Sequence, residues 1–183
     1  MTKAPSPFSD RLPLIVMGVS GSGKTTLGEA IAARTGLSFF DGDTFHSVEA
    51  RAKMTAGVAL TDEDRAPWLD RIGRFLADAG AHPEGAIVAC SALKRAYRDR
   101  LRAAAGPGLR FLFLKGDKAL MRARVAGRKN HYMPASLVDS QFAALESPEG
   151  EGDVVTIPAD ADLAQTLGDT IERLASAGRD DAR

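Results

Sequence analysis

The chain alternates short, almost continuously apolar segments with longer segments in which apolar residues recur every three or four positions. The first pattern is typical of strands buried on both faces of a sheet, and the second of helices that cover it. Five strands are predicted: Leu12 to Val19, Ser38 to Asp41, Ala86 to Ser91, Leu109 to Lys115 and Asp153 to Ile157. This alternation predicts an α/β fold, a five-stranded parallel sheet with helices on both faces.

The strongest helix signal begins at Thr61, where the run Thr61 to Asp64 resembles a capping box. Apolar residues then recur at helical spacing from Trp68 to Leu76, so Trp68 is expected in the core. A helix from Lys24 to Arg34 is predicted to stop at Gly36, a residue suited to a left-handed cap. Further helices are predicted over Leu93 to Ala105, Asp117 to Ala126, Ser136 to Glu146 and Leu163 to Ala177.

A length of 183 residues fits one compact domain over 1–183, with flexible tails expected at 1–10 and 178–183. The 24 Lys and Arg residues balance the 24 Asp and Glu residues, so no overall field favours nucleic acid or an anionic membrane. A single cysteine, Cys90, forms no internal disulfide, and neither a secretion signal nor a membrane-spanning apolar tract is evident. We therefore expect a cytoplasmic protein.

The segment from Gly18 to Thr25 matches the pattern G-x-x-x-x-G-K-[ST] without a mismatch, between a predicted strand and a predicted helix. In such a P-loop, Lys24 reaches the β- and γ-phosphates of a nucleotide and the Thr25 hydroxyl ligates Mg²⁺. A simple glycine-rich turn would need neither side chain. The predicted ATP-binding residues are Gly18, Val19, Ser20, Gly21, Ser22, Gly23, Lys24, Thr25 and Thr26.

A P-loop alone is compatible with a GTPase, a motor ATPase or a kinase. The guanine-reading motif N-K-x-D is impossible because the single asparagine, Asn130, is followed by His131. Motor ATPases usually need partner domains and a longer chain. A small-molecule kinase is the simplest remaining interpretation.

The acceptor side of such a kinase is predicted where the second strand ends, in Asp41-Gly42-Asp43. The carboxyl ends of parallel strands face the ligand crevice, so these groups should lie near the P-loop. Asp43 could accept the proton of an acceptor hydroxyl or orient the Mg²⁺ shell. The alternative is that Asp43 only stabilises a turn, and for His46 that it is a loop or packing residue.

Several segments resemble the gluconate kinase family, in content and in order, over about residues 14 to 157. They are Asp41-Gly42-Asp43 through His46, Lys53-Met54 with Gly57, Leu60 to Arg65, Pro67-Trp68-Leu69, Cys90-Ser91-Ala92-Leu93-Lys94 with Tyr97-Arg98, Phe113 to Gly116, Arg128-Lys129 with His131, and Gln141-Phe142. The resemblance implies a nucleoside-monophosphate-kinase-like fold with a small lid, often as a homodimer. It also implies transfer of the γ-phosphoryl group of ATP to the 6-hydroxyl of D-gluconate.

Gluconate carries a carboxylate and a chain of hydroxyls, so its site needs cations or paired donors. The candidate donors are His46, Arg51, Lys53, Lys94 and Arg98, to which the resemblance adds His131. Lys94 and Arg98 are also compatible with a solvated helix face.

Arg124 and Arg128 are four residues apart and share a helix face that leads into the expected lid. Such arginines can stabilise the charge of the transferring phosphoryl group, and the predicted catalytic set is Lys24, Asp43, Arg124 and Arg128. The alternative is an ordinary basic surface helix. Asn130 and the pair Tyr132-Met133 depart from the family pattern in this region.

Two rival functions remain. Shikimate kinase also pairs a P-loop with an acidic motif after the second strand, but its Gly-Gly-Gly segment after the third strand is replaced here by Cys90 to Lys94. A non-catalytic nucleotide-binding module would not need Lys24 or Asp43, and both are present.

Overall fold

The computed structural model describes residues 11–78, 80–127 and 135–180. The described chain forms a five-stranded sheet in the order β2-β3-β1-β4-β5, with every neighbouring pair parallel. The strands are β1 (Leu12–Met17), β2 (Ser38–Asp41), β3 (Gly85–Ala89), β4 (Arg110–Lys115) and β5 (Val154–Pro158). All five predicted strands are thus confirmed, although β1 and β3 end two residues earlier than predicted.

Seven α-helices connect or follow the strands within the described residues. They are α1 (Lys24–Thr35), α2 (Val48–Thr55), α3 (Asp62–Ala77), α4 (Arg95–Ala105), α5 (Lys118–Ala126), α6 (Ala135–Ala144) and α7 (Leu163–Asp180). The Thr61 capping box and the left-handed cap at Gly36 are both present. Helix α7 continues to Asp180, and the flexibility of the tail from residue 178 stays a prediction. Residues 1–10 lie outside the described part of the chain.

Helices cover both faces of the sheet, as predicted. On one face, α3 and α4 bury Trp68, Leu69 and Leu101 against side chains of β1, β3 and β4. On the other face, α1, α5 and α7 pack on a second apolar cluster that includes Leu14 and Val16 of β1. Burial of these large side chains on both sides is the main source of stability for a sheet of this kind.

The register of the sheet places three strand ends side by side. Ala89, the last residue of β3, is paired with Val16 of β1 on one side and with Asp41 of β2 on the other. The segments that follow β1 and β2 therefore emerge at the same edge. Within the described residues, no helix combines the length and the apolar character needed to span a bilayer.

Candidate active site

The loop between β1 and α1 has the conformation of a phosphate cradle. Gly21 and Gly23 have φ angles of 84° and 97°, which residues with a side chain rarely adopt. Helix α1 begins directly after Gly23, and no side chain of the described protein caps its first turn. The N–H groups of that turn can therefore bind an anion, and the helix dipole favours negative charge there.

The side chains of this loop are positioned for a nucleotide. Lys24 Nζ donates a hydrogen bond to the carbonyl oxygen of Val19 at 3.1 Å, so the ammonium group folds over its own loop. Thr25 and Thr26 are exposed in the first turn of α1. The predicted phosphate and Mg²⁺ ligands thus lie together at the start of α1.

Gln141 of α6 holds the phosphate loop from outside. Its Oε1 accepts a hydrogen bond from the Ser20 backbone N–H at 2.6 Å, and its Nε2 donates to Ser20 Oγ at 3.0 Å. Two hydrogen bonds from one carboxamide fix both the position and the orientation of Ser20. Nothing local in the sequence predicts this contact, because the two residues are 121 positions apart.

Arg124 lies against the same loop. A Cβ atom built on Gly21 would lie 3.0 Å from the carbonyl oxygen of Met121 and 3.6 Å from Arg124 Cβ, so α5 packs directly on the cradle. Arg124 Nη1 donates to the carbonyl oxygen of Ala159 at 2.9 Å. Arg122, by contrast, is paired with Asp139. The two arginines therefore have different surroundings, and Arg124 is the one beside the nucleotide loop.

A cavity of about 310 Å³ opens between Arg124 and the residues after β5. Its lining combines the cradle residues Gly21 to Gly23 with apolar groups that include Pro158, Ala159 and Leu163. The cavity thus continues the phosphate cradle into a partly apolar recess. Two predicted lid residues, Arg128 and His131, lie outside the described residues.

The second cluster of polar groups follows β2, where Asp41 to Phe45 form a single turn of 3-10 helix with its cap. Gly42 is needed for close packing, because a Cβ atom there would lie 2.3 Å from the carbonyl oxygen of Ala89. The turn is therefore pressed against the end of β3, next to the phosphate loop. This arrangement brings Asp43 and Lys24 into electrostatic contact.

Asp41 and Asp43 have separate roles in this turn. The Asp41 carboxylate accepts a hydrogen bond from the Asp43 backbone N–H at 2.9 Å and so stabilises the turn. The Asp43 side chain is 83% exposed, and its Oδ1 lies 3.9 Å from His46 Nε2. The turn-stabilising function that was the alternative interpretation of Asp43 belongs to Asp41, which leaves the Asp43 carboxylate open to a ligand.

The electrostatic environment of Asp43 suits a proton acceptor. Although the carboxylate is open to solvent, the surrounding protein removes part of its hydration, and this raises its pKa. Repulsion by Asp41 raises the pKa further, whereas His46 and Lys24 oppose both effects. A carboxylate with a raised pKa is a stronger base than an ordinary aspartate.

His46 is buried beside Asp43. Its ring stacks on Trp68 with centroids 4.3 Å apart, and Trp68 Nε1 donates to the Gly42 carbonyl oxygen at 2.7 Å. Burial lowers the pKa of His46, so the ring is neutral at physiological pH. Its Nδ1 has no hydrogen-bond partner in the described structure. The ring is therefore a packed residue of this turn, and its unpartnered Nδ1 is itself buried. The expectation that Trp68 belongs to the core is confirmed, since it is 4% exposed.

Two predicted acceptor-binding lysines are paired with aspartates at the start of α3. Lys53 Nζ lies 2.7 Å from Asp64 Oδ1, and Lys94 Nζ lies 2.6 Å from Asp62 Oδ2. Arg51 is exposed on α2. Lys94 therefore stands at the cleft but within a partly exposed ion pair, and a ligand would have to compete with Asp62 for it.

The structure corrects the prediction for Arg98. It was a candidate donor or a solvated helix residue, but it is fully buried and forms a salt bridge with Glu151. Its Nη1 donates to the carbonyl oxygens of Ala92 and Leu93 at 3.1 and 3.0 Å. Ala92 has the left-handed φ of 44°, so Arg98 fixes a strained loop rather than a ligand.

The residues present fit a Mg²⁺ ion that arrives with the nucleotide. Thr25 supplies a hydroxyl at the cradle, and Asp43 supplies an open carboxylate across it. No group of three or more His, Cys, Asp or Glu side chains within the described residues could hold a metal alone. Such a site matches the preference of Mg²⁺ for phosphate oxygens, water and one or two protein oxygens.

The cradle after β1 and an open carboxylate after β2 together define a P-loop phosphotransferase. A family model described as an AAA domain matches residues 14–148. A thermosensitive gluconokinase of Escherichia coli is 44% identical over 151 residues, covering 82% of this chain and 80% of that protein. A gluconokinase of Gluconobacter oxydans is 42% identical, covering 79% of this chain and 80% of that protein.

Comparison with solved structures gives the same family. The crystal structure of a gluconokinase from Sinorhizobium meliloti has a TM-score of 0.82 and 43% identity, covering 92% of this chain and 94% of that one. The chain therefore belongs to the gluconokinase family of P-loop kinases. The resemblance seen in the acceptor-side segments is confirmed.

Proposed function

We propose that this protein transfers the γ-phosphoryl group of ATP to the 6-hydroxyl of D-gluconate, giving 6-phospho-D-gluconate and ADP. The observation that carries the proposal is the open Asp43 carboxylate, held beside a preformed phosphate cradle by the pairing of Asp41 with Ala89 and of Ala89 with Val16. The gluconokinase names of the relatives supply the acceptor.

In the proposed reaction, Lys24 and the N–H groups of the cradle bind the phosphates. The acceptor O6 attacks the γ-phosphorus, its proton passes to Asp43, and the bond from the γ-phosphorus to the leaving oxygen of ADP breaks. Mg²⁺, when bound, neutralises charge on the phosphate oxygens. Because Asp43 is exposed, the transferred proton can leave to solvent after each turnover.

Arg124 is proposed to stabilise charge on the transferring group, together with Arg128. The cavity beside Arg124 is proposed to hold the adenine base, because it joins the cradle and is lined in part by apolar groups. His46, Arg51, Lys53, Lys94 and His131 remain proposed contacts of the acceptor. The homodimer and the cytoplasmic location remain predictions from the sequence.

The test is ADP release by the purified protein with ATP and Mg²⁺, comparing D-gluconate, shikimate, glucose and no acceptor. We expect release that depends on gluconate, with one phosphorylated product at O6 by NMR. Equal release with and without gluconate would contradict the proposal, and shikimate-dependent release would favour the rival kinase. Sedimentation of the same sample tests the homodimer.

A further inference from the structure

One face of α3 forms the wall of the acceptor side. Asp62, Arg65 and Trp68 are three residues apart in succession, so they lie on the same side of the helix. Asp62 pairs with Lys94 and accepts a hydrogen bond from the Tyr97 hydroxyl. Trp68 stacks on His46 and binds the carbonyl of Gly42. Arg65 therefore stands between the Lys94 pair and the turn that carries Asp43.

The guanidinium of Arg65 has a weak partner. Its Nη1 lies 3.4 Å from the Tyr97 hydroxyl oxygen, which is long for a hydrogen bond. Among the described residues, no carboxylate lies within ion-pair distance of Arg65. Its neighbours differ: Lys53 and Lys94 pair with aspartates, and Arg71 Nε donates to the Phe45 carbonyl oxygen at 2.7 Å.

The charge of Arg65 acts on both sides of its position. The pKa of His46 is lowered first by burial and then by nearby cations that include Arg65. The pKa of Asp62 is lowered first by its hydrogen bonds from Lys94 and Tyr97, and Arg65 contributes as well. These effects agree with the geometry, in which Arg65 faces the space between His46 and Tyr97.

We infer that Arg65 binds the carboxylate of the acceptor and so makes the enzyme select sugar acids over neutral polyols; the inference rests on the proposed function. A guanidinium binds a carboxylate through two parallel hydrogen bonds, and Tyr97 supports it from one side. The negative charges of Asp41 and Asp43 repel a carboxylate, so the acceptor's opposite end, with its terminal hydroxyl, points to Asp43.

The experiment compares Arg65→Gln and Arg65→Lys with Arg74→Gln, a control on the same helix whose side chain is 72% exposed and 4.0 Å from Asp70. Acceptors are D-gluconate and D-gluconamide, which has the same hydroxyl chain without the charge. Arg65→Gln should raise KM for gluconate roughly 10- to 100-fold, the range of a hydrogen-bonded charge. It should leave KM for ATP, kcat and KM for gluconamide unchanged, and Arg65→Lys should fall between.

A rise of KM that is equal for gluconate and gluconamide, or a loss of kcat without a change of KM, would overturn the inference. Calorimetric titration measures the binding of D-gluconate to wild type and to Arg65→Gln without turnover. It therefore distinguishes failure of the Arg65 inference from failure of the proposed kinase function. If turnover is absent but the wild type binds gluconate and the variant does not, the inference holds and the kinase proposal fails. If the wild type does not bind gluconate, both fail.

Discussion

On the nucleotide side of the cleft, Lys24 donates to a carbonyl of its own loop, whereas on the acceptor side Lys53 and Lys94 are paired with aspartates of α3. The nucleotide cradle consists largely of backbone N–H groups, which need only the correct φ and ψ angles. The acceptor side consists of side chains whose charges compensate each other. The first region is thus preformed, and the second must exchange internal contacts for contacts with a ligand.

The same difference distinguishes charged residues that stabilise the fold from charged residues that can bind or react with the substrate. A charge that is already paired, such as Arg98, stabilises the protein, while a charge with a weak partner or none is available for the substrate. Asp43 and Arg65 are of the second kind in the described structure. Substitution of an available charge should affect turnover but not stability, and substitution of a paired charge should affect stability. The predictions below test this distinction.

The largest expected effect is that of Asp43→Asn. Loss of the proton acceptor should lower kcat by about 10²–10⁴-fold, the usual contribution of general-base catalysis. The melting temperature should not change, because the Asp43 carboxylate makes no hydrogen bond in the described structure. The measurement is steady-state kinetics together with thermal unfolding of both proteins.

Asp41→Asn is the matched control for this prediction. An asparagine oxygen can still accept the hydrogen bond from the residue 43 backbone N–H, so turnover at neutral pH should remain close to that of the wild type. If Asp43→Asn retains near-normal kcat, or if both variants lose activity equally, Asp43 is not the base.

The second prediction concerns the paired region. Glu151→Gln removes the partner of a fully buried guanidinium, which should lower the free energy of unfolding by about 3 kcal/mol. For a chain of this size the melting temperature should fall by roughly 6–12 °C. Glu149→Gln is the control, because Glu149 forms an exposed pair with Lys115. Its effect should be below about 1 kcal/mol.

The same pair gives a stability difference that depends on pH. Hydrogen bonds from Arg98, and after it from Arg102, lower the pKa of Glu151 to about 2. A carboxyl with a lowered pKa stabilises the folded state fully above its unfolded pKa, and this contribution is lost as the pH falls toward 2. The stability of the wild type should therefore fall toward that of Glu151→Gln as the pH falls from about 5 to about 2. These limits are close to the pKa of the carboxyl in the unfolded and in the folded protein. A constant difference across this range would contradict the assignment.

The sequence was sufficient for the sheet and the phosphate loop, because both depend on local patterns: apolar runs for the strands and a fixed spacing of glycines for the cradle. Helix α2 was missed because it buries only Ala50 and so has no apolar stripe. Arg98 was misjudged because its partner, Glu151, is 53 positions away. The contact of Gln141 with Ser20 is equally non-local, and the residue was visible only as part of a family segment.

The next prediction tests how far the preformed cradle depends on Gln141. Gln141→Ala removes both hydrogen bonds to Ser20. Because Gln141 acts on the nucleotide only through the loop, KM for ATP should rise by roughly 2- to 12-fold, about the value of one ordinary hydrogen bond, with a smaller effect on KM for gluconate. Gln141→Glu should have a larger effect, because a carboxylate beside Ser20 repels the phosphates. Ser140→Ala is the control, since its hydroxyl only donates to the Leu137 carbonyl of the same helix. Equal KM values for all three variants would mean that the cradle forms without this support.

The smallest expected effect is a shift of the acidic limb of the pH profile of kcat/KM for gluconate. Asp43 must be ionised to accept a proton, and burial together with Asp41 raises its pKa, so activity should decline at a higher pH than for an ordinary aspartate. Asp41→Asn removes the repelling charge and therefore lowers the pKa of Asp43, which should move the limb toward lower pH. A limb that stays in place in Asp41→Asn would mean that a group other than Asp43 controls the acidic side, and the open carboxylate would then be a metal or substrate ligand rather than the base.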